Sequence, residues 1–400
     1  MRSPRGGHRL EPATRLGGAG LLALAVTYGV GRQAFGLFVP AFQEDFGLSL
    51  ATVGFVASAA QAGYLAVVVV TGMVAARVGA RVPVVAGCVV VAVGAGLVAV
   101  APGPVALALG LTIAGASAGG TWAPFSDAVS QQVPESGQPR ALSLVNSGGP
   151  LGSVLASVGV LLAGGTWRLA WAIFAALGLA AAVVNLRILT PSPRDSLRRP
   201  PRPTLRWFLN PRSVRLFVVT LAAALASSAY FTFAPAAVAS AGQPSWMGPA
   251  MWGVLGLVGG GVGVFAGDLA TRFGLWRPLT GSWLAIATSL VVLVVAPGSI
   301  AVGLGSAALF GIGFTIGYGQ IVLWSQQVFW DRPTTGFTTT ILFSATGFMV
   351  GPALFGVLAV AVGRSAALLL AAVPAVVAAA VPPAPRFRHL LPRRPRPDPN

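Results

Sequence analysis

The sequence predicts an all-α polytopic membrane protein, with twelve transmembrane helices in two six-helix halves related by a pseudo-two-fold axis along the membrane normal. Three observations carry this. The first is composition: of 400 residues, 55% are hydrophobic and 9% are charged, whereas a soluble domain carries about 25% charged residues. Too few polar side chains exist to cover a water-facing surface. The second is run length. A spanning helix needs about 20 apolar residues, and long apolar runs recur here without strand-like alternation. Backbone groups in hydrocarbon must bond within their own segment, so such runs are helices. The third is an internal repeat.

The twelve runs fall near 17–43, 51–76, 82–101, 103–127, 142–165, 168–189, 214–240, 248–271, 278–296, 299–327, 336–362 and 365–382. They divide the chain into an N-tail (1–16), a first six-span half (17–189), a Pro- and Arg-rich linker (190–213), a second half (214–382) and a basic C-tail (383–400). The repeat has one offset, 195 residues. It relates Phe38 to Phe233, Pro40 to Pro235 and Pro83 to Pro278. It relates Gly72, Arg77 and Gly79 to Gly267, Arg272 and Gly274, and the "SQQV" of 130–133 to that of 325–328. Two halves in the same orientation place a binding site between them, near the bilayer midplane.

Net charge is +17, and every basic side chain other than the two histidines is Arg. Nucleic-acid binding is one reading of such a charge, but the distribution excludes it. Four Arg lie in the N-tail, eight between 187 and 215, five in the C-tail, and Arg77, Arg81, Arg140, Arg272, Arg277 and Arg332 in connections on the same side. Only Arg168 and Arg364 fall on the other side, and Arg32 lies within a span. By the positive-inside rule both termini are cytoplasmic, which implies a multi-pass protein of the plasma membrane. The basic stretches can also meet anionic lipid. The basic N-terminal stretch followed by an apolar run resembles a signal peptide. It lacks a small-residue cleavage site and reads as a retained first span. Cys88 is the single cysteine, His8 and His389 lie in the tails, and no metal cluster, cofactor loop or nucleophile–base–acid set can be assembled. An enzyme is therefore the least supported class. Heavy use of Arg, Ala, Gly and Pro suggests a GC-rich bacterial source.

The loop between the second and third runs reads "GMVAARVGAR", 72–81, and its repeat reads "GDLATRFG", 267–274. This resembles the G-x-x-x-D-R-x-G-x-R loop of the major facilitator superfamily. Gly72, Arg77, Gly79 and Arg81 match, as do Gly267, Arg272 and Gly274, while the acid is replaced by Ala76 in one copy and Thr271 in the other. "GGPLG", 148–152, and "GFMVGPALFG", 347–356, are similar to the glycine–proline motif of many exporters in that family. They centre on Gly149–Pro150 and Gly351–Pro352; helix packing alone also explains them. "YGVGRQAFGLFVP" followed by "AFQEDFGLSLATVGF" resembles the YbfB/YjiJ-type and monocarboxylate-transporter branches. The resemblance implies alternating access about a central cavity lined by spans 1, 4, 7 and 10, with the loop residues and the glycine–proline pairs governing conformation.

Arg32 is the residue that most needs an account, because a charge near the bilayer centre costs roughly 2.5–3.5 kcal/mol on insertion scales. No acid falls at its depth. Three readings stand: it bonds carbonyls or polar side chains structurally, it reaches Asp127 or Asp268 by helix bending, or it faces the cavity and holds an anion. The planar guanidinium suits bidentate pairing with a carboxylate. At α-helical spacing Tyr28, Arg32 and Phe35 share one face. With Trp122, Ser126, Ser227, Tyr230, Tyr318, Gln320 and Trp324 they form the candidate substrate-binding set. One cation, several hydroxyls and aromatic walls suit a small organic anion. Asp127 and Asp268 are the candidate proton-coupling groups. The expected function is secondary transport of a small organic anion such as a monocarboxylate. The alternatives are an exporter of drugs or metabolites and, in another class, a non-transporting receptor or scaffold.

Overall fold

A computed structural model describes residues 12–164, 166–191, 210–263, 265–330 and 333–383. Most of the N-tail, the linker and the C-tail lie outside the described residues. Every spanning segment is helical. The first half comprises span 1 (Pro12–Leu24, Ala25–Gln33 and Phe35–Phe46), span 2 (Leu50–Val78), span 3 (Arg81–Ala99), span 4 (Pro104–Ala116 continuing to Trp122–Gln132), span 5 (Gln138–Leu162) and span 6 (Trp167–Ile188). The second comprises span 7 (Pro211–Ser240), span 8 (Met247–Gly263 and Ala266–Phe273), span 9 (Trp276–Val295), span 10 (Ile300–Val328), span 11 (Pro333–Val362) and span 12 (Arg364–Ala380). Ten segments are long and apolar enough to cross a membrane, and Met247–Gly263 and Arg364–Ala380 are shorter apolar helices. Spans 2 and 7 start before their sequence-predicted limits because polar caps extend them, and span 10 is capped in the same way. The Ser49 side chain accepts from Thr52 N, Asn210 from Arg212 N and Ser213 N, and Ser299 from Val302 N. Each cap satisfies N–H groups that the first helical turn leaves free.

The repeat is visible in the backbone. Gly79 ends span 2 at φ 74°, ψ 174°, and Gly274 ends span 8 at φ 73°, ψ 178°. Both lie in the positive-φ region that glycine tolerates and side chains do not. The same turn therefore recurs at the 195-residue offset.

The two halves meet along matched seams, mostly at the end of the bundle away from the termini. On one seam, span 2 packs on span 11, and Ala353 N donates to Ser58 Oγ at 3.0 Å. On the other, span 5 packs on span 8, and Ser157 Oγ donates to the Pro249 carbonyl at 2.7 Å. Glycines let the backbones touch: Gly54 lies on the Pro352 carbonyl, Gly256 on the Pro150 carbonyl, and Gly36 of span 1 on the Phe231 carbonyl of span 7. A Cβ at any of these would overlap the facing carbonyl. In the glycine–proline pairs it is the proline carbonyl that the opposite half meets; Gly149 faces open space. At the terminus-bearing end, Trp122 of span 4 meets Phe337 of span 11, ring centroids 5.3 Å apart.

Candidate functional site

Span 1 departs from the uniform α-helix expected of it. Residues Ala25–Gln33 form a π-helix, and α-helix resumes at Phe35. Such segments are rare and gather at functional sites. The local sequence, "AVTYGVGRQ", explains why the wider turn is tolerated. Gly29 lies against Gly152 and Gly31 against the Ala114 carbonyl, so neighbouring helices close in where the turn opens. The Thr27 hydroxyl bonds the Ala23 carbonyl at 2.8 Å and sits 3.0 Å from Thr121 Oγ1.

The π-helix delivers Arg32 to the space between the halves. Arg32 Nε donates to Gln61 Oε1 of span 2 at 3.0 Å. The guanidinium lies 4.4 Å from the Tyr64 ring, 5.8 Å from the Tyr28 ring and 4.9 Å from the Phe348 ring of span 11. Tyr28 and Tyr64 meet edge to face, their hydroxyls 3.3 Å apart. The positive charge thus rests on ring faces contributed by both halves, which stabilise a cation by about 0.5–2 kcal/mol each. Among the described residues Arg32 has no ion pair with Asp127 or Asp268, so the bent-helix reading of its partner is set aside. Asp268 and Arg272 are both exposed on the last segment of span 8 and form no ion pair. Asp127 is likewise exposed, near the end of span 4.

A small cavity opens beside Arg32, with about 30 Å³ of room for the centres of water molecules. Its polar lining is Arg32, Gln33, Gln61, Ser228 and Thr232, and its walls include Phe35, Phe231 and Phe348. No acid lines it. Gln33 is held by Ser153, whose hydroxyl donates to Gln33 Oε1 at 3.3 Å. Ser228 donates to the Leu225 carbonyl at 2.7 Å. Arg32 and the amide groups of Gln33 and Gln61 supply donors around one permanent cation, while the Ser228 hydroxyl, its proton donated to Leu225, presents lone pairs.

The sequence-predicted residues divide between this cavity and other places. Tyr28, Arg32 and Phe35 gather at it. Tyr318 sits one ring away, 6.2 Å from Phe348 and 4.6 Å from Phe314. Ser227 is buried beside it. Tyr230 points into the second half instead: it stacks on Phe310 at 4.0 Å and its hydroxyl lies 3.0 Å from Ser306 Oγ. Trp122 donates to Asn146 Oδ1 at 2.9 Å, and Ser126 donates to the Trp122 carbonyl. Gln320 and Trp324 are buried in span 10. Gln61, Tyr64, Thr232 and Phe348 were not anticipated. Gln61 carried a usable signal, a lone amide in the apolar run "ASAAQAGYLAV" with Tyr64 one turn on. Phe348 carried none, because one phenylalanine in an apolar helix looks like any other.

A paired-half bundle of twelve spans around a central cavity defines the class as a membrane transporter. The family description Major Facilitator Superfamily matches residues 21–345, and the chain belongs to that superfamily. Its fold is similar to that of a bacterial homologue of the human lysosomal transporter Spinster, solved inward-facing and unoccupied, at TM-score 0.76 and 16% identity over 94% of this chain and 97% of that one. It is similar also to the nucleoside transporter NupG, at TM-score 0.78 and 15% identity over 92% of this chain and 98% of that one. Among curated proteins, none matches the sequence.

Proposed function

We propose that the chain is a secondary transporter that moves a small organic anion, such as a monocarboxylate, by alternating access. One observation supports this above the others: the guanidinium of Arg32 lies in the cavity between the halves with no acid beside it. Gln61 holds Nε, which leaves the terminal nitrogens for a ligand. A carboxylate there would neutralise a charge that the bilayer disfavours and gain two parallel hydrogen bonds. The apolar walls suit the body of a small acid.

Coupling follows from the same lining. The cavity has no titratable carboxylate, so we assign it anion exchange or facilitated passage, with Asp127 and Asp268 as the groups to test for a proton role. Arg77, Arg81 and Arg272, with Gly72, Gly79, Gly267 and Gly274, are assigned to biasing access, as are the Gly149–Pro150 and Gly351–Pro352 pairs.

The test is a paired measurement on wild type, Arg32→Ala and Arg32→Lys. Melting temperature is read alongside binding of a carboxylic acid and its neutral methyl ester. The Ala variant should remain folded and lose acid binding. The Lys variant keeps the charge without the bidentate fork and should weaken acid binding by about 1.5–3 kcal/mol, roughly 10- to 160-fold. The ester should bind poorly throughout. Unchanged acid binding by a folded Arg32→Ala protein would refute the anion site.

A further inference from the structure

A second cavity lies at the opposite end of the bundle from the termini, within the second half. It has about 190 Å³ of room for the centres of water molecules and sits between the ends of spans 7 and 9 and the start of span 12. Ser240, Pro297, Arg364 and Ser365 line it together with Leu293 and Leu368. Its meaning emerges from the repeat. Arg168 lies in the first turn of span 6 as Arg364 lies in the first turn of span 12, one residue off the 195-residue register, each at the head of the last span of its half. Arg168 is held in place by backbone and ring. One terminal nitrogen donates to the Ala101 carbonyl at 2.8 Å and the Ala99 carbonyl at 3.4 Å, just past span 3, and the Trp167 ring covers the guanidinium at 4.3 Å.

Arg364 lacks all three of these contacts. Gly363 stands where Trp167 stands in the first half, so no ring covers the charge. The carbonyl matching that of Ala101 belongs to Ala296, in the repeated "VAPG" of 100–103 and 295–298, and it accepts instead from Ser299 N at 3.1 Å. Arg364 turns to span 7 and donates to the Ala236 carbonyl at 2.8 Å. Its Nε is buried without a partner. A buried guanidinium N–H left unmade costs more than an ordinary hydrogen bond gains.

We propose that this cavity holds the phosphodiester headgroup of a membrane phospholipid. A phosphodiester oxygen would accept from the part of the Arg364 guanidinium that lines the cavity, and guanidinium–phosphate pairing is among the strongest neutral-pH contacts available to it. The Ser240 and Ser365 hydroxyls lie within the same lining. A lipid fits better than a soluble anion because the cavity is amphipathic and stands at the span ends. Val295 of span 9 and Leu369 of span 12 are exposed next to it, 77% and 42%, in position to meet acyl chains.

The experiment uses the full chain in a mild detergent. Melting temperature is followed as phosphatidylglycerol, diacylglycerol of the same acyl chains, or sodium phosphate is added. Phosphatidylglycerol should raise the midpoint by mass action, and the other two should not. Arg364→Gln should abolish the rise. Because that change also removes the bond to Ala236, a second variant, Ala241→Trp, fills the cavity from an exposed lining position and keeps the arginine. It should melt normally without lipid and ignore phosphatidylglycerol. Arg168→Gln should still respond. An equal rise with diacylglycerol, a rise with sodium phosphate alone, or an undiminished lipid response in Ala241→Trp would overturn the proposal.

Discussion

Spans 1 and 7 descend from the same repeat position, yet they present opposite surfaces to the central cavity. Position 32 is arginine in the first and the matching position 227 is serine in the second. Span 1 relaxes into a π-helix over Ala25–Gln33, whereas span 7 stays α-helical from Pro211 to Ser240. Ser227 is wholly buried, with Tyr318 beside it and Phe348 beyond. Arg32 has instead been given a soft bed of rings and an amide. The two helices still share a proline at the same register, Pro40 and Pro235, and they touch at Gly36 and Phe231. Common ancestry has kept the packing and let the chemistry diverge. In an exactly symmetric site two arginines would face each other, and like charges in a low-dielectric cavity repel strongly. One charge per site is the arrangement that suits a ligand bearing one charge.

The sharpest way to break this comparison is to exchange the residues. Ser227→Arg should abolish expression of folded protein, since a large cation would replace a small hydroxyl that is wholly buried. Arg32→Ser should express and melt close to wild type while losing anion binding. Comparable yield and melting temperature for the two variants, measured by fluorescence-detected gel filtration, would show that the two positions are alike after all.

A smaller effect tests the point of contact between these helices. Gly36→Ala places a methyl group on the Phe231 carbonyl, whereas Gly18→Ala meets open space. The first should hold the far end of the halves apart and slow transport several-fold, and the second should not. Accessibility of a cysteine placed at Thr232 to a bulky thiol reagent reads the separation directly; equal labelling in both variants would remove Gly36 from the seam. Smaller still is the loss of a single hydrogen bond. Gln61→Leu keeps the volume near Arg32 but frees Nε, and a bond to a charged group is worth about 1.5–3 kcal/mol. Only part of that energy reaches the ligand, so acid affinity should fall about twofold, less than in the Arg32→Lys variant. An affinity equal to wild type would mean that the rings alone orient the guanidinium.

What the sequence disclosed and what it withheld follow a physical division. Span number and the location of every span were legible because apolar run length is a property of consecutive residues. The repeat was legible because Arg, Pro and Gln are uncommon enough in this composition to mark an offset. Arg32 was legible because a lone charge in hydrocarbon demands a reason. The ring faces around it were not, since Tyr64 and Phe348 become neighbours of Arg32 only through the contact of span 2 with span 11. The π-helix was hidden for a related reason. Glycines in "TYGVGR" permit many turns, and the choice is made by Gly152 and Ala114 pressing from other helices. The 3.6-residue spacing that put Tyr28, Arg32 and Phe35 on one face was therefore only approximate, since Tyr28 and Arg32 lie inside the π-segment. Tyr230 shows the reverse error: on a cavity-lining helix, a polar aromatic was expected to face the cavity, and it was recruited by Ser306 on the other side.

The seams that join the halves are fastened by neutral groups. Ser58 meets a backbone N–H, Ser157 meets a backbone carbonyl, and glycines rest on proline and phenylalanine carbonyls. Mobile ions screen charges and leave such contacts almost untouched. A latch of this kind grips equally in dilute and concentrated media. The grip of this seam should therefore hold steady across ionic strength, while the capture of an anion by Arg32 weakens as salt rises.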